Sequence, residues 1–294
     1  MENTVHRTRR HISQYVLLLP AVLLLCVFFI GPILLTFYFS FTNSALTGVG
    51  SQNTQFVGLT NYSMLFKDST VGVSILNTLI FLVFSSLIGQ QFFGFVIALL
   101  MKGKNAGFRR AVGICVLTGW IIPEIIVAFC MMTFLSDQGT LNTILGVFGI
   151  PAVSWLYAHP MLSIILANIW HGTAFSMLIF QAALDNVPSE IEEAATVDGA
   201  SKLTTLAKIT LPYIKDSIVT NMILNTLQTL GVFGLIYTMT GGGPGNKTTT
   251  LPILMYQKAF LNYQIGYGTA ISMILLLIGA AMSIFYVKAM KSDL

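Results

Sequence analysis

Six long apolar runs constrain the fold of this chain more than any other feature of its sequence. Each run is long enough to cross a lipid bilayer as a helix, which takes roughly 20 residues. The runs do not alternate apolar with polar residues, so they predict helices and not barrel strands. A chain that is 55% hydrophobic and 9% charged fits an all-α membrane protein. We expect six transmembrane helices, at residues 15–41, 74–101, 111–135, 161–184, 215–239 and 267–290.

The basic residues predict the orientation of these helices. Twelve of the fifteen Lys and Arg residues lie in four segments, at 7–10, 102–110, 202–215 and 288–291. The positive-inside rule places such segments in the cytoplasm. Both termini are therefore expected in the cytoplasm.

The sequence gives no sign of catalysis or of a metal or nucleotide site. The three cysteines all lie within apolar runs, without the spacing of a metal site or a disulfide framework. The longest segment outside the runs has about 30 residues, which is below the size of a folded domain. The stretch TGGGPGNKTTT differs from a phosphate-binding loop, because Asn246 and not Gly precedes Lys247. We expect no catalytic residue, metal or cofactor in this chain.

One cytoplasmic segment, VPSEIEEAATVDGASKLTTLAKITLP, is unusually charged for this chain. Ser189 and Glu192 have the spacing of a capping box, which predicts a helix start. Gly199 is expected to break that helix. A second helix is expected to begin near Ser201 and to end at Pro212. The pair predicts either an amphipathic helix on the membrane surface or a docking surface for another protein.

The same segment carries the pattern E-A-A-x3-G-x9-I-x-L-P with every position filled, and it resembles the coupling loop of bacterial ABC importer permeases. Stretches such as FVGLTNYSMLF and TMTGGGPGNKTTTLPILMYQKAF resemble the carbohydrate-uptake, maltose-type branch of that family. The T-x-G-G-P stretch at 240–244 is typical of the first of its two non-identical permease subunits. The residues at the pattern positions are Glu193, Ala194, Ala195, Gly199, Ile209, Leu211 and Pro212.

This resemblance implies a type I ABC importer permease fold in a bacterial inner membrane. It implies a transmembrane permease domain at 15–290 with a cytoplasmic coupling loop at 186–214, between cytoplasmic tails at 1–14 and 291–294. The implied partners are a second permease subunit, a cytoplasmic ATPase dimer that binds ATP and Mg, an extracytoplasmic sugar-binding protein and membrane lipid. Nucleic acid is not among them.

The resemblance also implies roles for single residues in the coupling loop. Glu193 is expected to pair with a basic residue of the ATPase, and Gly199 to set the angle between the two loop helices. Closure of the ATPase dimer would then move the loops and open the pathway outward. The external loop at 240–267 is expected either to meet the binding protein or to serve only as a cap.

Three polar side chains are predicted to lie near the middle of the membrane. Glu124, His171 and Gln228 each lie 13 or 14 residues from a charged residue at the cytoplasmic end of their span, ~20 Å along a helix. Polar groups at this depth are costly and are functional candidates. Pro123 predicts a kink beside the first of them. Three interpretations stay open: hydrogen bonds between helices, a Glu124–His171 ion pair, or a sugar cavity that also uses Phe175.

The resemblance favours the sugar cavity, because nine residues align with positions that line it in maltose-type permeases. Residue types differ at most of these positions, so the sugar is not named. The predicted function is a permease subunit that forms half of the pathway for an oligosaccharide or related polyol. The alternatives are a proton-coupled secondary transporter that uses Glu124 and His171, and a membrane scaffold without transport. The nine residues are Glu124, Ala128, His171, Gly172, Phe175, Asn225, Gln228, Thr229 and Val232.

Overall fold

The computed structural model of the protein describes residues 18–291. The predicted tail 1–14, the first residues of the first predicted span and residues 292–294 lie outside the described residues. Within the described part the regular structure is helical, apart from one isolated antiparallel bridge between Thr42 and Phe56. The helices are α1 (Leu18–Ser40), α2 (Val49–Gln52), α3 (Thr60–Lys67), α4 (Ser69–Met101), α5 (Ala106–Ile121), α6 (Glu124–Phe134), α7 (Thr140–Val147), α8 (Trp155–Ala158), α9 (Pro160–Asp185), α10 (Ser189–Val197), α11 (202–213), α12 (Lys215–Leu230), α13 (Gly234–Met239), α14 (251–261) and α15 (Ile265–Lys291).

Four helices of the described chain are long and apolar enough to cross a membrane: α1, α4, α9 and α15. The pair α5 and α6 would be a fifth crossing, but its two helices meet at a bend of 100°. The predicted span 215–239 is not one helix, because α12 has 16 residues, α13 has 6, and the chain between them is not helical. By length and composition, this part of the chain therefore contains four or five helical spans instead of the six expected. The expected spans 111–135 and 215–239 are each broken into two helices.

A single proline accounts for the bend between α5 and α6. The ring of Pro123 disfavours a helical conformation at the preceding residue. Ile122 accordingly has φ −62° and ψ 130°, an extended conformation that ends α5. Glu124 is the first residue of α6. The kink expected at Pro123 is confirmed, and it places Glu124 at a helix start.

Internal contacts divide the chain into two units. One comprises the chain through Lys67 together with Met255–Ile274, and the other comprises Asp68–Leu254 together with the chain from Leu275. All the predicted site residues belong to the second unit.

The second unit contains two buried apolar clusters. The first includes Ala128 and Val232, which are 0% and 7% exposed. The second lies where α4 and α9 approach the predicted coupling loop, and it includes Met101 and Phe180. A Cβ atom at Gly94 of α4 would overlap the backbone of α9, so glycine permits this close helix contact.

Candidate functional site

The predicted coupling loop forms two short helices, α10 and α11. Between them Gly199 has φ +80°, which L residues rarely adopt. The Oγ atom of Ser201 accepts a hydrogen bond from the N–H of Thr204 at 3.2 Å and caps α11. The predicted helix break at Gly199 and the predicted helix start near Ser201 are therefore confirmed.

The capping box predicted at Ser189 and Glu192 is wrong. Ser189 is the first residue of α10, and the side chain of the preceding Pro188 makes no capping hydrogen bond. Oε1 of Glu192 instead accepts hydrogen bonds from Nζ of Lys102 at 2.5 Å and from Oγ1 of Thr210 at 2.9 Å. These partners are distant in sequence from Glu192, so a local pattern could not reveal them.

The environment of Glu192 favours its charged form. Burial alone would raise the pKa of this carboxyl, but the hydrogen bonds from Lys102 and Thr210 and the lysine charge outweigh burial. The pKa of Glu192 is therefore held below its ordinary value of 4.5. The resulting ion pair joins α10 to the residue that follows α4.

Pro212 does not end the second loop helix, as had been predicted. The chain stays helical through Tyr213, after a π-helical turn at Leu206–Thr210. Pro212 lies in the first turn of the segment Leu211–Tyr213, where a proline is tolerated. The helix ends at Ile214, which is 2% exposed in the second apolar cluster.

The residues of the coupling pattern divide into two sets. One set is exposed on the surface of the loop, and the other is buried or half-buried. The exposed residues are Glu193, Ala194, Gly199 and Pro212, the buried residue is Ala195, and the half-buried residues are Ile209 and Leu211.

A cavity of about 470 Å³, lined by charged, hydroxyl and leucine side chains, lies between the loop helices and the end of α4. Glu192, Lys102 and Thr210 line it together with Lys202 of α11. A second ion pair joins Arg109 of α5 to Asp185, the last residue of α9, and contains no residue of the loop. The pair of Glu192 with Lys102 therefore attaches the loop to the end of α4 by a polar contact as well as by the chain.

Glu124 and His171 both lie at the break between α5 and α6. Nε2 of His171 donates a hydrogen bond to the carbonyl oxygen of Ile122 at 3.2 Å. Oε2 of Glu124 lies against Gly234 of α13, where an added Cβ would come within 3.3 Å of it. Both side chains are half-buried. Among the described residues no ion pair joins Glu124 to His171, so that interpretation does not hold in this conformation.

Aromatic and amide side chains surround the next turn of α9. The ring of Phe175 lies 5.8 Å from the ring of Trp120, centroid to centroid. The side chain of Gln90 packs directly on Gly172, leaving no room for a Cβ atom. Its Nε2 donates to the carbonyl oxygen of Asn168 at 2.8 Å. Neither Trp120 nor Gln90 was among the predicted site residues. The amide of Gln90 within the apolar run 74–101 and the indole of Trp120 within the run 111–135 are signals in the sequence that could have indicated them.

The predicted residues of α12 and the turn after it do not share one environment. Asn225 is 1% exposed, and its Nδ2 donates to Oγ of Ser176 at 2.6 Å. Thr229 and Val232 are also buried, at 5% and 7% exposure. Gln228 is exposed. The hydrogen bond of Asn225 fits the interpretation as a contact between helices, and its cavity-lining role stays a prediction.

The structure therefore brings part of the predicted set together. Glu124 begins the helix after the break and His171 bonds the carbonyl oxygen of Ile122 at the break, Phe175 lies one turn from His171, and Ala128 is fully buried in the first apolar cluster. None of the nine residues lines the apolar cavity of about 570 Å³ in this unit. Among the described residues no group of three or more His, Cys, Asp or Glu side chains could hold a metal ion.

The Gly-rich loop between α13 and α14 is packed inward through its threonines. Thr248 and Thr249 are 0% exposed. Nδ2 of Asn77 in α4 donates to the carbonyl oxygens of Asn246 at 2.9 Å and Thr249 at 3.1 Å. These hydrogen bonds hold this part of the loop against α4, and contact of the wider loop 240–267 with a binding protein stays a prediction.

These features define a multi-pass helical membrane protein. A model of the family described as binding-protein-dependent transport system inner membrane component matches residues 92–288. The chain belongs to this family.

Several relatives match over nearly the whole chain. The trehalose/maltose transport system permease protein MalF of Thermococcus litoralis is 33% identical over 93% of this chain and 92% of its own length. The sulfoquinovosyl glycerol transport system permease protein SmoG of Agrobacterium fabrum is 30% identical over 94% and 89%. The multiple sugar-binding transport system permease protein MsmF of Streptococcus mutans is 31% identical over 98% of both chains.

The fold is shared with a bacterial ABC transporter involved in the import of the acidic polysaccharide alginate. That structure covers 98% of both chains with a TM-score of 0.82 at 23% identity. At this identity the likeness shows the fold alone.

Proposed function

We propose that this chain is one permease subunit of an ATP-driven importer and forms half of the pathway for an oligosaccharide or a related polyol. The observation that carries this proposal is the coupling loop. Its complete signature lies on two short helices joined by a turn at Gly199, and Glu193 and Ala194 of that signature are exposed. The names of the relatives from Thermococcus and Streptococcus support a sugar as the cargo.

The proposed topology has six crossings with both termini in the cytoplasm. Here α5 with α6 and α12 with α13 are broken crossings, a form tolerated where the backbone is buried in protein or lines a cavity. The distribution of basic residues supports this orientation. Polar side chains of α12, such as Asn221 and Asn225, are buried against other helices, which makes a crossing by this less apolar helix feasible.

ATP hydrolysis in this proposal takes place in a separate ATPase dimer, which binds ATP and Mg. The loop presents a surface suited to such a partner. Glu193 supplies a charge, while Val197 and Leu203 are 87% and 77% exposed and supply apolar area. The small side chain of Ala194 permits close approach of another backbone. The remaining partners are a second permease subunit and an extracytoplasmic sugar-binding protein.

The proposed sugar site consists of Glu124, His171, Phe175 and Gln228. A carboxylate, an imidazole and an amide can exchange hydrogen bonds with sugar hydroxyls, and an aromatic face can cover the C–H side. Glu124 and His171 are half-buried and Gln228 is exposed, so the single chain does not enclose this site. An open half-site is what a second permease subunit would complete.

The proton-coupled alternative has no comparable support. It requires Glu124 and His171 to exchange a proton, but the hydrogen bond of His171 goes to the carbonyl oxygen of Ile122. None of the relatives described above is named as a proton-coupled transporter.

The coupling role is tested by Glu193→Lys, with Glu190→Lys as the matched control on the same helix. We expect Glu193→Lys to abolish co-purification with the ATPase or its stimulated hydrolysis, because a like charge replaces the pairing carboxylate. Glu190→Lys should retain both. Equal behaviour of the two variants would refute the assignment of Glu193.

The sugar site is tested by Glu124→Ala and Gln228→Ala in the assembled importer. The sugar is first identified by screening ligands against the cognate binding protein. We expect both variants to assemble normally and to take up that sugar more slowly, at the level of initial uptake rates. Uptake equal to wild type in both would remove these residues from the site.

A further inference from the structure

Two adjacent glutamates of α10 have different surroundings. Successive residues of a helix are about 100° apart around its axis, so neighbours face different sides. Glu193 is exposed, while the side chain of Glu192 is 28% exposed and hydrogen-bonded. The coupling signature includes Glu193 and not Glu192.

One carboxylate oxygen of Glu192 joins three segments of the chain. Lys102, which donates at 2.5 Å, directly follows the last residue of α4. Thr210, which donates at 2.9 Å, lies in α11 and is only 2% exposed. We call Lys102, Glu192 and Thr210 the Glu192 bridge.

The Glu192 bridge adds a restraint to the one that the backbone supplies at the turn. The turn between α10 and α11 is exposed at Gly199, and no atom lies near the position of a Cβ there. Backbone hydrogen bonds, such as that from the N–H of Ala200 to the carbonyl oxygen of Ala195 at 2.9 Å, hold the turn itself but do not reach α4. The carboxylate of Glu192 reaches both, because it contacts α11 through Thr210 and the end of α4 through Lys102. Charge-assisted hydrogen bonds of this kind are stronger and more directional than neutral ones.

We propose that Glu192 is a positioning residue that makes the coupling loop and α4 move as one body. A displacement of the loop by the ATPase would then reach the membrane-spanning helices through the Glu192 bridge as well as through the chain. This inference rests on the proposed function, since it assigns the route by which the proposed ATPase acts.

The test measures the distance between the loop and α4 in the complete importer in nanodiscs. Spin labels are attached at Ser189 of α10 and at Leu100 of α4, both exposed and outside the proposed ATPase surface, after the native cysteines of all subunits are replaced by serine. Distances are recorded by pulsed electron paramagnetic resonance without nucleotide and with MgATP and vanadate. We expect one narrow distribution that is the same in both states. Glu192→Ala should broaden the distribution and make it change with nucleotide, while Glu190→Ala should behave as wild type.

Exchanging the two charges of the bridge distinguishes the loss of this ion pair from a general loss of structure. Lys102→Glu alone should broaden the distance distribution, and the double variant Lys102→Glu with Glu192→Lys should narrow it again. If Glu192→Ala does not assemble, Lys102→Met and Thr210→Val replace it, and each should broaden the distribution. The inference would be overturned if the single variants kept a narrow distance distribution that does not change with nucleotide. It would also be overturned if the distribution of the double variant were as broad as that of Lys102→Glu. Absence of ATPase binding by the wild-type chain would instead refute the proposed function.

Discussion

The turn at Gly199 allows a quantitative prediction about coupling. Gly199 has φ +80° and open space around the position of a Cβ, so alanine there meets no clash and only the backbone conformation matters. Holding an L residue in the left-handed region costs roughly 1–2 kcal/mol. Reduced freedom of the unfolded chain offsets about 0.4–1 kcal/mol for stability. Gly149 has φ +73° and equally open space, and it lies far along the chain from the loop.

Gly199→Ala and Gly149→Ala should therefore lower the midpoint of thermal unfolding by similar small amounts. They should differ in binding to the ATPase. A loop that relaxes to negative φ must regain the strained conformation on docking. The affinity of the ATPase should then fall by about fivefold to thirtyfold for Gly199→Ala, since the cost is roughly 1–2 kcal/mol and 1.4 kcal/mol is a factor of ten. Gly149→Ala should bind as wild type.

The assay is titration of the purified ATPase onto the permease pair in nanodiscs, read by light scattering or fluorescence anisotropy. Gly199→Asn provides a further arm, because asparagine adopts the left-handed region more readily than alanine. Its affinity should lie between those of wild type and Gly199→Ala. Equal affinities for Gly199→Ala and Gly149→Ala would show that the angle between the loop helices does not control docking.

Two further outcomes follow from contacts described above. Asn77→Ala leaves two carbonyl oxygens of the Gly-rich loop without their donor, so it should lower the free energy of unfolding by about 1–3 kcal/mol. Leu76→Ala, at an exposed neighbouring position, is the control and should lower that free energy by less. Thermal unfolding measures both. The pKa of Glu192 is lowered, so its contribution is complete above 4.5 and is lost as the pH falls through the lower folded-state value. The distance between labels on the loop and on α4 should accordingly broaden only below pH 4.5, and Glu192→Gln should remove this dependence.

Local patterns in the sequence predicted the loop well where the cause was local. Gly199 and Ser201 act through their own backbone and side-chain geometry, and both appear as expected. The prediction of a capping box was wrong because the helix starts at Ser189, with Pro188 in the N-cap position, and Glu192 bonds Lys102 instead. An ion pair across 90 residues is a property of the tertiary packing and leaves no local pattern.

The spans show the same division. Pro123 indicated a kink, since its effect on Ile122 is steric and immediate. The size of the bend depends on the helices packed around it. The prediction of one span at 215–239 was wrong because it used hydropathy alone, which does not show the break between α12 and α13. Depth along a helix also says little about orientation: Asn225 and Gln228 were predicted to share a site, but one is buried against Ser176 and the other is exposed.

The contact between Trp120 and Phe175 gives the protein an intrinsic optical probe. Indole emission shifts with the polarity around the ring, and Trp120 is 37% exposed beside the proposed sugar site. The chain has only two other tryptophans: Trp155, whose Nε1 donates to Asn142, and Trp170, which lines the apolar cavity. In a Trp155→Phe, Trp170→Phe variant, the remaining indole emission of this chain would come from Trp120 alone, without an added label.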